Sequence, residues 1–172
     1  MDFWRSAIGQ QFHAAMDMLA NAIDACPDNV WFDQGRNAFW YLAFHTLFWV
    51  DLYLSGEDAS RFHPPPPFGL TELDEKGVLP ERAYAKDELL TYLEHCRKKL
   101  DVVMARTTES WAATPCPRYD WLFPDYEMGN GELLLYNMRH VQHHAAQLNM
   151  LLRQRTNSAP DWVSRGGQNT RP

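Results

Sequence analysis

Seven histidines are the side chains in this sequence whose type and spacing could do chemistry together. His140 and His144 stand four residues apart in a segment of helical periodicity, so they lie about 40° apart and one turn along the same face. Two imidazoles so placed can share one divalent cation, as they do on zinc-binding helices, but the pair needs a third ligand from elsewhere. His45 is the candidate, since it sits among Phe44, Leu47, Phe48 and Trp49, where an imidazole must stay neutral and find a partner. The alternative for His45 taken alone is a hydrogen-bonded core histidine. His143 is three residues from His140 and about 60° away on the other side, which also permits joint ligation. Periodicity alone leaves both His143 and His144 partly buried. His13 is one position off an apolar stripe, His63 sits in a proline loop and His95 falls beside the stripe of its own helix. Such placements ordinarily make surface or structural histidines.

These side chains need elements to position them. Trp4, Ile8, Phe12, Met16, Leu19 and Ile23 recur at steps of three and four, with Asp2 placed to cap and Pro27 past the end, which predicts a first amphipathic helix. After a loop from Pro27 to Gly35, residues 37–54 are apolar on nearly every face and stop at Ser55-Gly56. A helix with so little polar surface belongs in the middle of a bundle. The connector from Gly56 to about Ala85 contains His63-Pro64-Pro65-Pro66-Pro67-Phe68-Gly69, whose prolines exclude helix and strand there. Roughly 30 residues suffice to run back along a helix of about 30 Å, so the helices it joins can be parallel. Leu89, Leu93, Cys96, Leu100 and Val103 mark a third helix, with Asp87 and Glu88 near its start. A second connector, about Thr107 to Gly131, carries Trp111, Tyr119, Trp121, Phe123 and Tyr126 among its prolines and glycines, and so reads as packed. Leu133, Tyr136, His140, His144, Leu148 and Leu151 define the fourth helix. No period-two alternation persists and no block repeats.

The chain of 172 residues is sized for one domain spanning 1–172. It is 45% hydrophobic and 13% aromatic against 22% charged, the composition of a folded core. Sixteen Lys and Arg against 22 Asp and Glu give a net charge of −6 with no basic cluster, which argues against a nucleic-acid partner. Cys26, Cys96 and Cys116 are far apart and signal neither a disulfide framework nor a thiolate zinc site. The N-terminus lacks the features of a signal peptide, and the most apolar stretch, Ala38 to Val50, is too short for a bilayer span. A cytoplasmic protein without a membrane partner is the expectation. A Gly-rich phosphate loop and a Gly-x-Ser-x-Gly elbow are both lacking, and no cysteine has an evident activating partner.

Three helical segments and the tail carry a resemblance. They are Tyr41-Leu42-Ala43-Phe44-His45-Thr46-Leu47-Phe48-Trp49-Val50-Asp51, Tyr84-Ala85-Lys86-Asp87-Glu88-Leu89-Leu90-Thr91-Tyr92-Leu93, Met138-Arg139-His140-Val141-Gln142-His143-His144-Ala145-Ala146-Gln147-Leu148, and Ser158-Ala159-Pro160-Asp161-Trp162-Val163. Almost end to end, the chain resembles the DinB/YfiT-like superfamily of metal-binding four-helix bundles. Members often read His-x-x-His-His-Arg-Gly-Gln in the last helix, and the first and last histidines of that cluster ligate with one from the second helix. The resemblance therefore implies His45, His140 and His144 as ligands of a divalent metal, zinc, nickel or iron. Here Ala145-Ala146 stand where Arg-Gly often follows, so any role of that arginine does not carry over.

The same resemblance implies an all-α, up-down-down-up bundle with a long crossover between helices two and three. It further implies a homodimer, a small-molecule substrate, and an open metal position that can lower the pKa of bound water or activate a thiolate. The activity implied is an S-transfer dependent on a low-molecular-weight thiol, or a hydrolysis. The alternative is a dimeric, stress-associated bundle that binds metal or ligand without turnover. Tyr41, one turn before His45, and Gln147, near His144, are candidates to contact substrate.

Overall fold

The structure, a computed structural model, describes residues 2–33, 35, 37–117, 119 and 127–167. Four long helices dominate: α1 (Asp2–Ala25), α3 (Phe39–Ser55), α4 (Lys86–Arg106) and α6 (Asn130–Thr156). Two short helices, α2 (Asp28–Trp31) and α5 (Glu109–Ala113), and a 3-10 turn at Thr71–Leu73 lie in the connections. Among the described residues there is no strand, only an isolated bridge between Pro115 and Gly129. The chain is thus an all-α bundle, the class its periodicity predicts.

Local chemistry explains the boundaries. α3 ends because Gly56 adopts φ 70°, a left-handed conformation that a side chain disfavours. α4 starts where the Glu88 carboxylate accepts the Ala85 N–H at 2.8 Å and receives Arg82 through both oxygens, at 2.6 and 2.8 Å. These bonds satisfy an amide that the helix leaves unpaired and place negative charge at its positive end. α5 is capped by Thr108 Oγ1, which accepts the Trp111 N–H at 3.1 Å.

Several boundaries differ from expectation. α1 includes Asp2 rather than being capped by it, and Trp4 on its predicted stripe is 64% exposed. The Pro27–Gly35 loop contains α2, whose Trp31 is fully buried and donates Nε1–H to the Tyr84 carbonyl at 2.9 Å. α6 begins inside the Gly129-Asn130-Gly131 segment instead of after it. These glycines admit α5: a Cβ on Gly129 would stand 2.9 Å from the Ala112 carbonyl oxygen, too close to be tolerated. Asn130 Nδ2 also donates to the Trp111 carbonyl at 3.2 Å. The second connector is therefore packed where it is described, with Tyr119 buried; Trp121, Phe123 and Tyr126 lie outside the described residues.

α1 and α3 lie diagonally across the bundle, each packed against both α4 and α6. The Cys96 thiol donates to the Leu47 carbonyl and, further along both helices, Leu54 and Val103 line one cavity, so α3 and α4 run in the same direction. His13–Asp101 at 2.9 Å and Asp17–Arg97 at 2.6 Å run oppositely along α1 and α4, so these two are antiparallel. Asn137 bonds the Val50 carbonyl at 3.3 Å and His140 reaches His45, so α3 and α6 are antiparallel too. The aromatic density of α3 is consumed in the core, where Phe44 stacks with Phe68 of the connector and Phe48 meets Phe62 edge to face. On α6 the buried residues are Leu133, Leu134, Asn137, Val141, Ala145, Leu148, Asn149 and Leu152, so the predicted Leu133 and Leu148 are in the core but between them the buried line runs one position round from the predicted one. Tyr136, His140, His144 and Leu151 consequently sit on its flank, half-buried. That offset leaves the two histidines at a wall of the bundle rather than in its centre.

Candidate metal centre

α3 and α6 bring His45, His140 and His144 together. One ligand-competent atom from each lies within 4.8 Å of the other two, and the three rings stand 4.5 to 5.3 Å apart between centroids. His45 Nε2 faces His140 Nε2 at 3.4 Å. Among the described residues this is the only such group of three or more His, Cys, Asp or Glu.

Two of the rings are oriented from behind. His45 Nδ1 is 2.6 Å from Glu72 Oε2 and His144 Nδ1 is 2.7 Å from Gln147 Oε1. A carboxylate and an amide oxygen only accept, so each Nδ1 carries the proton and each Nε2 keeps its lone pair. His140 Nδ1 is buried without a hydrogen-bond partner among the described residues. Burial, then the neighbouring imidazoles, pushes His140 down to about 3. Burial and His45 push His144 down to about 4, against the opposing pull of the Gln147 hydrogen bond. Burial alone would raise the Glu72 carboxyl, but hydrogen bonding and charge from His45, with smaller contributions from Tyr41 and Trp49, hold it below its ordinary value.

This donor set fits a divalent metal. Three neutral imidazoles are borderline-soft nitrogen ligands, and two nitrogens each about 2.1 Å from a tetrahedral zinc stand about 3.4 Å from one another. The observed separation of the two Nε2 atoms is 3.4 Å. His140 also lines an open groove of about 530 Å³, with Tyr136, Arg139, Gln142, His143 and Ala146 along it.

The remaining candidates are placed as follows. His143 is exposed rather than partly buried, and although its ring is 5.0 Å from that of His144 it is not among the three converging residues. His13 pairs with Asp101 and His63 is exposed. His95 Nε2 lies 3.3 Å from the buried carboxylate of Asp51, which also binds Lys99 and accepts from the Tyr92 hydroxyl at 3.0 Å. Tyr41 is buried with its ring 6.3 Å from that of His45, beside Glu72, and Gln147 holds His144. All three cysteines are free.

Glu72 is the residue that sequence reasoning missed. It belongs to no periodic element and lies 27 positions from His45. The one available signal was generic: a buried imidazole needs an acceptor for its second nitrogen.

Among the described residues no helix is long and apolar enough to cross a membrane. The family model of the DinB superfamily matches residues 11–148, a span that holds α3 and α4 whole, most of α1 and α6, and all three converging histidines, and the chain belongs to that superfamily. No curated protein and no solved structure matches the chain.

Proposed function

We propose, starting from membership of the DinB superfamily, that this protein is a metal-dependent enzyme in which His45, His140 and His144 hold one divalent ion. The reading extends to a reaction class, S-transfer from a low-molecular-weight thiol or hydrolysis. The observation that carries it is the convergence of the three imidazoles, with the lone pairs of His45 and His144 left free by their hydrogen bonds to Glu72 and Gln147. When bound, a zinc, nickel or iron ion with an open position would supply Lewis acidity and lower the pKa of a coordinated water or thiol.

The chain's own residues supply the rest. Glu72 and Gln147 orient two ligands, while Trp49, whose ring is 6.3 Å from that of His45, walls the buried side. The groove beside His140 offers a small molecule its approach, with Arg139 and His143 as polar contacts on its rim. Such a division of labour suits a protein whose sequence contains no self-sufficient nucleophile.

The test is metal analysis of protein purified without an affinity tag, then turnover assays of metal-loaded, chelated and His45→Ala protein. The assays use a panel of electrophiles with and without bacillithiol, mycothiol and glutathione. About one divalent ion per chain, and turnover confined to the loaded protein, is expected. Equal rates in all three preparations would reject metal catalysis. Metal binding with no turnover for any pair would support the non-enzymatic reading, a bundle that binds metal or ligand only.

A further inference from the structure

We propose that Glu72 is the positioning residue of the three-histidine centre: delivered by the Gly56–Ala85 connector, its carboxylate fixes which nitrogen of His45 faces His140 and His144. The inference rests on the reading of these histidines as metal ligands and adds a residue that no ligand pattern contains.

Four observations carry it. The contact is short, 2.6 Å from Glu72 Oε2 to His45 Nδ1, and the same oxygen accepts the Trp49 indole N–H at 3.1 Å. His45 and Trp49 are one turn apart on α3, so a single carboxylate oxygen is clamped by two donors from one helix face. Second, the Glu72 side chain is only 5% exposed, yet among the described residues its sole ion-pairing partner is His45, with no lysine or arginine in range. A carboxylate withdrawn from water without a permanent countercharge is costly. A divalent cation on the far side of the same imidazole would balance that charge through the ring, and the carboxylate in turn would raise the basicity of Nε2.

Third, the connector is built to hold Glu72 there. Phe62 and Phe68 are buried, the first edge to face with Phe48 and the second stacked on Phe44 of α3, and the chain then makes the Thr71–Leu73 turn that points the carboxylate at His45. The proline-rich stretch is pinned on the helix carrying the first ligand rather than merely spanning the bundle. Fourth, the three histidines are not equivalent. His144 is backed by the neutral amide of an exposed Gln147, and His140 Nδ1 has no hydrogen-bond partner among the described residues. Only His45 has a carboxylate behind it.

The experiment titrates the metal-free full chain with zinc against a chromophoric chelator. It records the visible spectrum of the cobalt form and follows folding by circular dichroism and thermal melting. Glu72→Gln keeps the shape and an acceptor but removes the charge, and it is expected to weaken zinc binding roughly 10- to 100-fold. Glu72→Ala should weaken it at least as much, whereas Gln147→Ala should change it less. The cobalt spectrum of Glu72→Gln should shift while the melting of its metal-free form stays near wild type. A merely structural role would lower the melting temperature and leave the zinc affinity alone. Wild-type affinity within twofold in both Glu72 variants overturns the assignment of Glu72. Wild-type protein that binds no zinc, or that binds it as well after His140→Ala, overturns the three-histidine reading and this inference with it.

Discussion

His140 and His144 share a face of α6 and a short distance to His45, while His143 projects to solvent. His144→Ala is therefore expected to abolish tight metal binding and His143→Ala to weaken it far less. Metal titrations giving the opposite ranking would mean that the wrong member of the pair has been chosen. The burial that keeps these rings neutral also has a cost in acid. An imidazole in the unfolded chain takes up its proton near pH 6.5, but in the folded protein His140 does so only at about 3 and His144 at about 4. Above pH 6.5 both states are neutral and nothing is gained or lost. Below it the unfolded state binds protons that the fold excludes, so the metal-free protein is expected to lose stability as the pH falls from about 6.5 towards 4. Urea unfolding across that window checks this, and His140→Gln should flatten the decline.

At the scale of elements, α3 ties its neighbours together through polar side chains that reach the helices on either side. His45 faces α6, and Asp51, fully buried one and a half turns later, faces Tyr92, His95 and Lys99 of α4. Removing the lysine leaves a carboxylate in the interior with only a hydroxyl and a half-exposed imidazole to compensate it. Lys99→Met is expected to cost about 3 kcal/mol, the range for breaking a buried ion pair. Asp51→Asn should cost less, since it removes the charge and keeps an acceptor for Tyr92, and denaturant unfolding of both variants compares them. An equal or smaller loss in Lys99→Met would show that His95 and solvent suffice to stabilise Asp51.

For the molecule as a whole, the three histidines bring together two antiparallel helices that belong to distant parts of the chain, one imidazole from α3 and two from α6. A metal bound there links the folded state only, and stabilises it by RT ln(1 + [M]/Kd), about 4 kcal/mol at a free concentration 1,000 times Kd. At roughly 2–4 °C per kcal/mol for a chain of this size, the melting temperature should rise by roughly 10 °C on zinc loading. Calorimetry with and without chelator measures it, and His45→Ala should erase most of the difference. The tail shows the same long-range economy: Gly166 N donates to the Gln10 carbonyl at 3.0 Å and Gln11 reaches Ser164, fastening residues beyond α6 back onto α1.

Periodicity was enough to make four helices, because each must bury an apolar stripe and the stripe is written into local spacing. It also made the pairing of His140 with His144 visible, since residues four apart share a helix face whatever the rest of the chain does. Where a stripe was marked by residues of mixed character, as in Tyr136, His140 and His144, spacing misjudged its centre. The true core line through Asn137, Val141 and Ala145 is set by how closely α6 approaches α1 and α3, which local sequence does not encode. Burial and family likeness point to His45 as the partner of the α6 pair, but their convergence depends physically on the antiparallel packing of α3 against α6. Short helices α2 and α5 were hidden because a single turn is stabilised by what it packs on, Trp31 in the core and Ala112 against Gly129, rather than by its own composition. Glu72 lay furthest from view. Its role is defined by a 27-residue closure that brings an irregular segment onto α3, and a carboxylate in a connector acquires meaning only when the tertiary structure buries it against an imidazole.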